Sequence, residues 1–261
     1  MSNLALALRD SSTMLRRNLL HARRYPSLTL NLLLTPVMLL LLFVYVFGDA
    51  MSAGIGGGDR SDYIAYIVPG LLLMTIGSTT IGTAVSVAND MTEGIIARFR
   101  TMAIHRGSVL VGHVVGSVVQ SILSVVLVGA VGVAIGFRSA DATALEWLAA
   151  FGLLVLFTLA LTWIAVGMGL VSPNAEAASN NAMPLIFLPL ISSAFVPVDS
   201  MPEWFQPVAE YQPFTPAIET LRGLLLGTGI GHNGWLAVVW SLALTALGYL
   251  WATAKFNNDP K

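Results

Sequence analysis

Six runs of the chain contain no Asp, Glu, Lys or Arg: residues 28–47, 63–88, 108–137, 147–171, 177–198 and 234–254. Each is long enough to cross a bilayer, which takes about 20 apolar residues. Helices in the core of a soluble protein average about 11–12 residues, so six consecutive runs of this length are not soluble core helices. Composition agrees, with 56% apolar and 10% charged residues against about 25% charged in a soluble domain. The reading is an all-α integral membrane domain of six transmembrane helices over residues 28–255. The run at 28–47 holds fourteen Leu, Val or Phe residues. Each contributes about −0.3 to −0.6 kcal/mol to insertion, so Asn31 and Pro36 do not prevent it. The run also exceeds the apolar core of about 7–15 residues typical of a cleaved signal peptide, so it is expected to stay as an anchor.

Charge placement orients the domain. With the amino terminus inside, the inner pieces hold Arg9, Arg16, Arg17, Arg23, Arg24, Arg98, Arg100, Arg106, Lys255 and Lys261, while the outer pieces hold only Arg60, Arg138 and Arg222. Cytoplasmic loops carry the excess of Lys and Arg, so both termini are expected in the cytoplasm. The chain has no cysteine, which removes disulfides and thiolate chemistry.

Between the runs, the pattern changes from segment to segment. In residues 1–27, Leu4, Leu8, Leu15 and Leu19 fall on one helical face and Arg9, Arg16 and Arg23 on another. That is the pattern of an amphipathic helix lying on the membrane surface. The string Gly56-Gly57-Gly58-Asp59 formally matches the GxGD of intramembrane aspartyl proteases. Such an enzyme needs two facing aspartates inside spans, and no charge-free run holds one. The loop after the second run is expected to form a short cytoplasmic helix, with Asp90 or Thr92 capping its start and Glu93 at its positive end. Arg98 and Arg100 lie near its other end, and Met91, Ile95, Phe99 and Met102 make an apolar stripe suited to a partner surface.

Pro184 and Pro189 in the fifth run each remove an intrahelical hydrogen bond, which predicts a kinked or re-entrant path. Gly112 with Gly116, and Gly132 with Gly136, are small-residue pairs at close-packing spacing in the third run. After the fifth run, Ser200-Met201-Pro202-Glu203 has the spacing of a capping box. A second helix is expected from Thr215-Pro216 through Leu226, stopped by Gly227. With Trp204, Phe205, Tyr211 and Phe214 suited to a lipid boundary, these are read as two short helices in the outer leaflet. Residues 256–261 form a cytoplasmic tail.

Absent chemistry narrows the function. A P-loop needs a lysine after its glycines to reach nucleotide phosphates, and the chain's only lysines are Lys255 and Lys261. Ion-driven transporters keep ionisable relays inside spans, where His113 is the one candidate here besides tyrosines. His21, His105, His113 and His232 lie in separate segments without metal-ligand spacing, so no catalytic or metal-binding residue is assigned. What remains in the runs is uncharged and polar. Asn31, Thr35, Thr75, Thr79, Gln120, Ser192 and Ser193 are candidates to line a pathway for a bulky amphiphile, although hydrogen bonding between helices explains such residues equally well.

Two strings, DMTEGIIARFRTMAIHRGSVLVG at 90–112 and SSAFVPVDSMPEWFQPVAEYQPFTPAIETLRGLLLG at 192–227, resemble bacterial ABC-2 type permeases of the daunorubicin-resistance type. The resemblance runs roughly from Arg9 to Gly231. It implies an exporter of two permease chains, identical or related, with two separate ABC ATPase subunits that hold the ATP and Mg; no cofactor is expected on this chain. The implied coupling helix would seat in the ATPase through Glu93, Arg98, Phe99 and Arg100, with residues 172–176 making a smaller contact. The implied cargo is an amphipathic drug, antibiotic or natural product leaving across the bacterial cytoplasmic membrane. Alternatives are export of a lipid or lipid-linked polymer, or an ATPase-independent channel or structural membrane protein. No nucleic-acid partner is expected. The chain departs from common family usage at Ala103, where proline is frequent, and at Gln212-Pro213, where asparagine-proline is frequent.

Overall fold

A computed structural model describes residues 26–48, 59–92 and 106–258. The surface helix expected over 1–27, the short helix expected at 93–100 and the end of the tail fall wholly or mostly outside those residues. Within them the chain is helical, with no strand. The long elements are α1 (Pro26–Tyr45), α2 (Arg60–Thr92), α3 (Arg106–Ala134) and α4 (Ala144–Val171). Shorter ones follow: α5 (Ala175–Ala182), α6 (Pro184–Leu190), a 3-10 turn at Val198–Ser200, α7 (Gln206–Tyr211) and α8 (Phe214–Leu226), before the long α9 (Asn233–Asn258).

Among the described residues, α2, α3, α4 and α9 are long and apolar enough to cross a membrane. The chain is therefore a multi-pass membrane protein. Helix α1 has 20 residues. The charge-free run at 177–198 is not one helix. Pro184 opens α6 without an amide hydrogen to give back to α5, and after Leu190 the chain coils through turns to the 3-10 segment.

Helix α2 is the central element, buried along most of its length. Antiparallel α3 lies on one side of it, joined by hydroxyl pairs. Helix α4 runs parallel to α2, and Gly169 comes so close that a Cβ there would meet the Ala84 carbonyl at 2.5 Å. Helix α9 runs parallel to α4, where Trp163 meets Tyr249 edge-on at 5.0 Å between ring centroids. In lipid, helices gain nothing by hiding apolar surface from one another, so van der Waals fit and interhelical hydrogen bonds hold such a bundle. Exposed Leu123, Val126, Leu148, Phe151, Leu242 and Leu250 on α3, α4 and α9 suit a hydrocarbon surround.

Two expected caps form differently. Thr92 lies within α2 as its last described residue, where its hydroxyl donates back to the Ala88 and Asn89 carbonyls; the helix it was expected to cap lies outside the described residues. Asp90 is likewise inside α2 and buried. No helix follows Ser200 directly: it ends a 3-10 turn, its hydroxyl donates to the Pro197 carbonyl at 2.6 Å, and the next helix starts only at Gln206. Helix α8 matches its expected bounds, and Gly227 ends it in the left-handed region at φ 66°. Gln212 does the local work at its start: its Oε1 accepts from the Phe214 amide at 3.1 Å.

Candidate functional site

The polar residues that could serve a transport function collect in two places at opposite ends of α2. Toward the Arg60 end, α6 and the turn after it pass over α2, because Gly77 and Gly70 leave no side chain in the way. A Cβ on Gly70 would lie 2.7 Å from the Ala194 backbone, and one on Gly77 would meet the Leu185 carbonyl. The turn is fastened by Arg222 of α8, whose Nε and Nη2 donate to the Tyr66 carbonyl at 3.2 and 3.0 Å. Nη2 also donates to the Ser193 carbonyl at 3.0 Å, Nη1 pairs with Glu219, and the Tyr66 hydroxyl donates to Ser193 O at 2.9 Å. Arg222 is only 9% exposed, and a buried guanidinium is tolerated because its donors are satisfied.

Toward the Thr92 end, α2 and α3 are joined by three rungs. Thr79 and Ser121 hydroxyls meet at 2.7 Å, the Thr83 hydroxyl donates to Ser117 Oγ at 2.7 Å, and His113 Nε2 meets Asp90 Oδ2 at 2.9 Å. A threonine or serine inside a helix usually turns its hydroxyl to a carbonyl one turn back. Here Thr79 bonds both the Ile76 carbonyl, at 3.0 Å, and the neighbouring helix.

The predicted pathway residues are not gathered into one lining. Thr75 is buried and donates to the Leu71 carbonyl at 2.7 Å. Thr79 is in the α2–α3 rungs, and half-buried Gln120 offers its backbone carbonyl to Ser124 at 3.0 Å. Ser192 donates to Pro189 O at 2.5 Å, and Ser193 belongs to the Arg222 cluster. Thr35 is exposed on α1, and the Asn31 side chain lies outside the described residues, as do Glu93, Arg98, Phe99 and Arg100.

A separate cavity of about 330 Å³ opens between α2, α3 and α4, with Leu225 of α8 closing one side. Its walls are apolar, including Leu72, Val125, Phe137, Phe151 and Leu154, and none of the predicted pathway residues lines it. Such a space suits the hydrocarbon part of a ligand and offers a polar group no partner.

Sequence reasoning placed Arg222 among the outer-side charges, within the helix expected at 215–226, and treated His113 as solitary. A signal for Arg222 was present: Glu219 lies three residues before it, the spacing at which opposite charges on a helix pair. The Asp90–His113 contact bridges 23 residues and had no local signal. A missed local signal is Thr143-x-x-Glu146, which forms a full capping box at the start of α4.

Known proteins resemble this chain in sequence. Over 228 residues the chain is 28% identical to the daunorubicin resistance ABC transporter permease protein DrrB1 of Streptomyces coeruleorubidus, covering 86% of this chain and 77% of that one. The probable doxorubicin resistance ABC transporter permease protein DrrC of Mycobacterium tuberculosis is 24% identical over 166 residues, 62% of this chain and 58% of its own length. A putative transport permease, ycf38, of Cyanophora paradoxa is 24% identical over 229 residues, 85% of this chain and 74% of that one. The sequence profile of the ABC-2 type transporters matches residues 10–226, and the chain belongs to that family.

Proposed function

We propose that this chain is the permease subunit of an ATP-driven exporter that moves an amphipathic drug, antibiotic or natural product out across the bacterial cytoplasmic membrane. The observation that carries the reading is the family match over residues 10–226 together with relatives named for daunorubicin and doxorubicin resistance. The power source lies elsewhere, in two copies of a separate ABC ATPase that bind ATP and Mg, and a second permease chain, identical or related, completes the pathway.

In this reading the domain has six spans. Residues 28–47 make the first, and the α5–α6 segment with its following turn makes the fifth. Both termini face the cytoplasm, residues 1–27 lie on the inner surface, and α7 and α8 belong to the outer leaflet side. The end of the bundle where α2 stops and α3 starts is then cytoplasmic, in keeping with Arg98, Arg100 and Arg106 near it. Residues 93–100 dock into the ATPase, with Glu93, Arg98, Phe99 and Arg100 as contacts. The loop between α4 and α5 makes the smaller contact at the same end, where Asn174 caps α5 by accepting from the Ala177 amide at 2.8 Å and Asn181 donates to Ser172 Oγ at 2.9 Å. Thr75, Thr79, Gln120, Ser192 and Ser193 stand as pathway candidates beside Asn31 and Thr35.

Purification of the chain from its native membrane tests this. An ABC ATPase should copurify, and amphipathic compounds that are cargo should raise its hydrolysis. Recovery of the chain without any ATPase from intact membranes would count against the reading.

A further inference from the structure

Asp90 and His113 are 8% and 3% exposed and 2.9 Å apart. A carboxylate only accepts, so the imidazole N–H donates to it. The pair costs desolvation that an apolar or hydroxyl contact would avoid, and the same two helices already carry neutral rungs at Thr83–Ser117 and Thr79–Ser121. Its position is what sets it apart. Asp90 is two residues before the last described residue of α2 and His113 is seven residues after the first described residue of α3, so the pair joins the two helices on either side of residues 93–105. It also flanks a small core separate from the main one, in which Val87, Val114, Trp163, Leu170 and Phe256 join α2 and α3 to α4 and α9.

We infer that Asp90 and His113 are a positioning pair for energy coupling. This rests on the reading that residues 93–100 dock on an ATPase. A joint between two helices that slips under load absorbs displacement instead of passing it on. The charge-assisted bond holds α2 and α3 in one register beside residues 93–105, so movement at the docking segment reaches α4 and α9 through the small core. The two residues touch neither ATP nor cargo.

The test uses the chain reconstituted with its copurifying ATPase in proteoliposomes, with Asp90→Ala, His113→Ala and the exchange Asp90→His/His113→Asp. Each single variant should keep the ATPase bound and hydrolysing, while transport per ATP falls about tenfold, and the exchange should restore most of it. Because the chain has no native cysteine, spin labels at Asn89→Cys and Val111→Cys report the hairpin directly. Their distance distribution should broaden in the singles and narrow again in the exchange. Single variants that pump normally, or an exchange no better than the singles, would overturn the inference. Arg98→Glu/Arg100→Glu in the same vesicles separates the two ideas. If that variant is impaired while the Asp90 and His113 variants are normal, only the pair fails. If it binds its ATPase and pumps like the parent, the docking reading and the pair fall together.

Discussion

Arg222 lies over the ring of Tyr66, with its guanidinium carbon 3.8 Å from the ring centroid, while also donating to the carbonyl of that same residue. One side chain of α8 thereby grips both the backbone and the ring of a residue on α2, 156 positions away in sequence. The planar, forked guanidinium can do both at once, and a lysine ammonium cannot.

Arg222→Ala should therefore destabilise the bundle by about 2–4 kcal/mol, because it removes the guanidinium hydrogen bonds to the Tyr66 and Ser193 carbonyls and leaves Glu219 without its cation. Arg222→Lys should recover only part of this, and Glu219→Gln should be milder than either. Thermal unfolding in detergent, followed by tryptophan fluorescence, measures the order; an Arg222→Ala protein that melts with the parent would remove the cluster from the account.

Gly70→Ala and Gly77→Ala should each cost about 1–3 kcal/mol, since the added methyl meets backbone that cannot step aside. Gly152 on α4 has no atom within 4 Å of its would-be Cβ, so Gly152→Ala should be neutral or stabilising by up to about 1 kcal/mol. The contrast within one set of melts is the check, and equal effects at all three positions would contradict the close crossing over α2.

How much of this was legible beforehand follows from the range of each interaction. Charge-free runs marked α2, α3, α4 and α9 to within a few residues, because the bilayer's length requirement is written into consecutive positions. The stop at Gly227 was readable for the same reason: a left-handed residue after an apolar helix is a local event. Pro184 and Pro189 announced a break, which falls at Pro184, whereas the close approach of Leu185 to Gly77 is a tertiary contact without a local signal. Ser200 has the spacing of a cap, yet it sits at the end of a 3-10 turn with the next helix starting only at Gln206, which spacing does not decide. The pairings of Arg222 with Tyr66 and Asp90 with His113 depend on which helices are neighbours, so no local pattern revealed them.

The hydroxyl rungs should be individually weak. A double-mutant cycle with Thr79→Val and Ser121→Ala should give a coupling of about 0.6 kcal/mol, the usual size for hydrogen bonds between helices in membranes. A coupling indistinguishable from zero in detergent-resolved unfolding would mean that the two hydroxyls are satisfied by their own helices.

Reversing the charge of the proposed docking segment should be felt by the partner alone. Arg98→Glu/Arg100→Glu should insert normally but hold its ATPase at least about tenfold more weakly, and what remains bound should hydrolyse ATP without moving cargo. Quantifying the copurified ATPase alongside transport distinguishes this from a folding defect, which would lower the yield of the permease itself.

The central claim is that the membrane bundle is driven from outside its own chain. Flux of a fluorescent amphipathic anthracycline, measured in liposomes holding the chain alone and then the chain with its copurified ATPase and ATP, tests it most directly. The account predicts transport against a gradient only when ATPase and ATP are both present. Concentrative transport by the chain alone would contradict it.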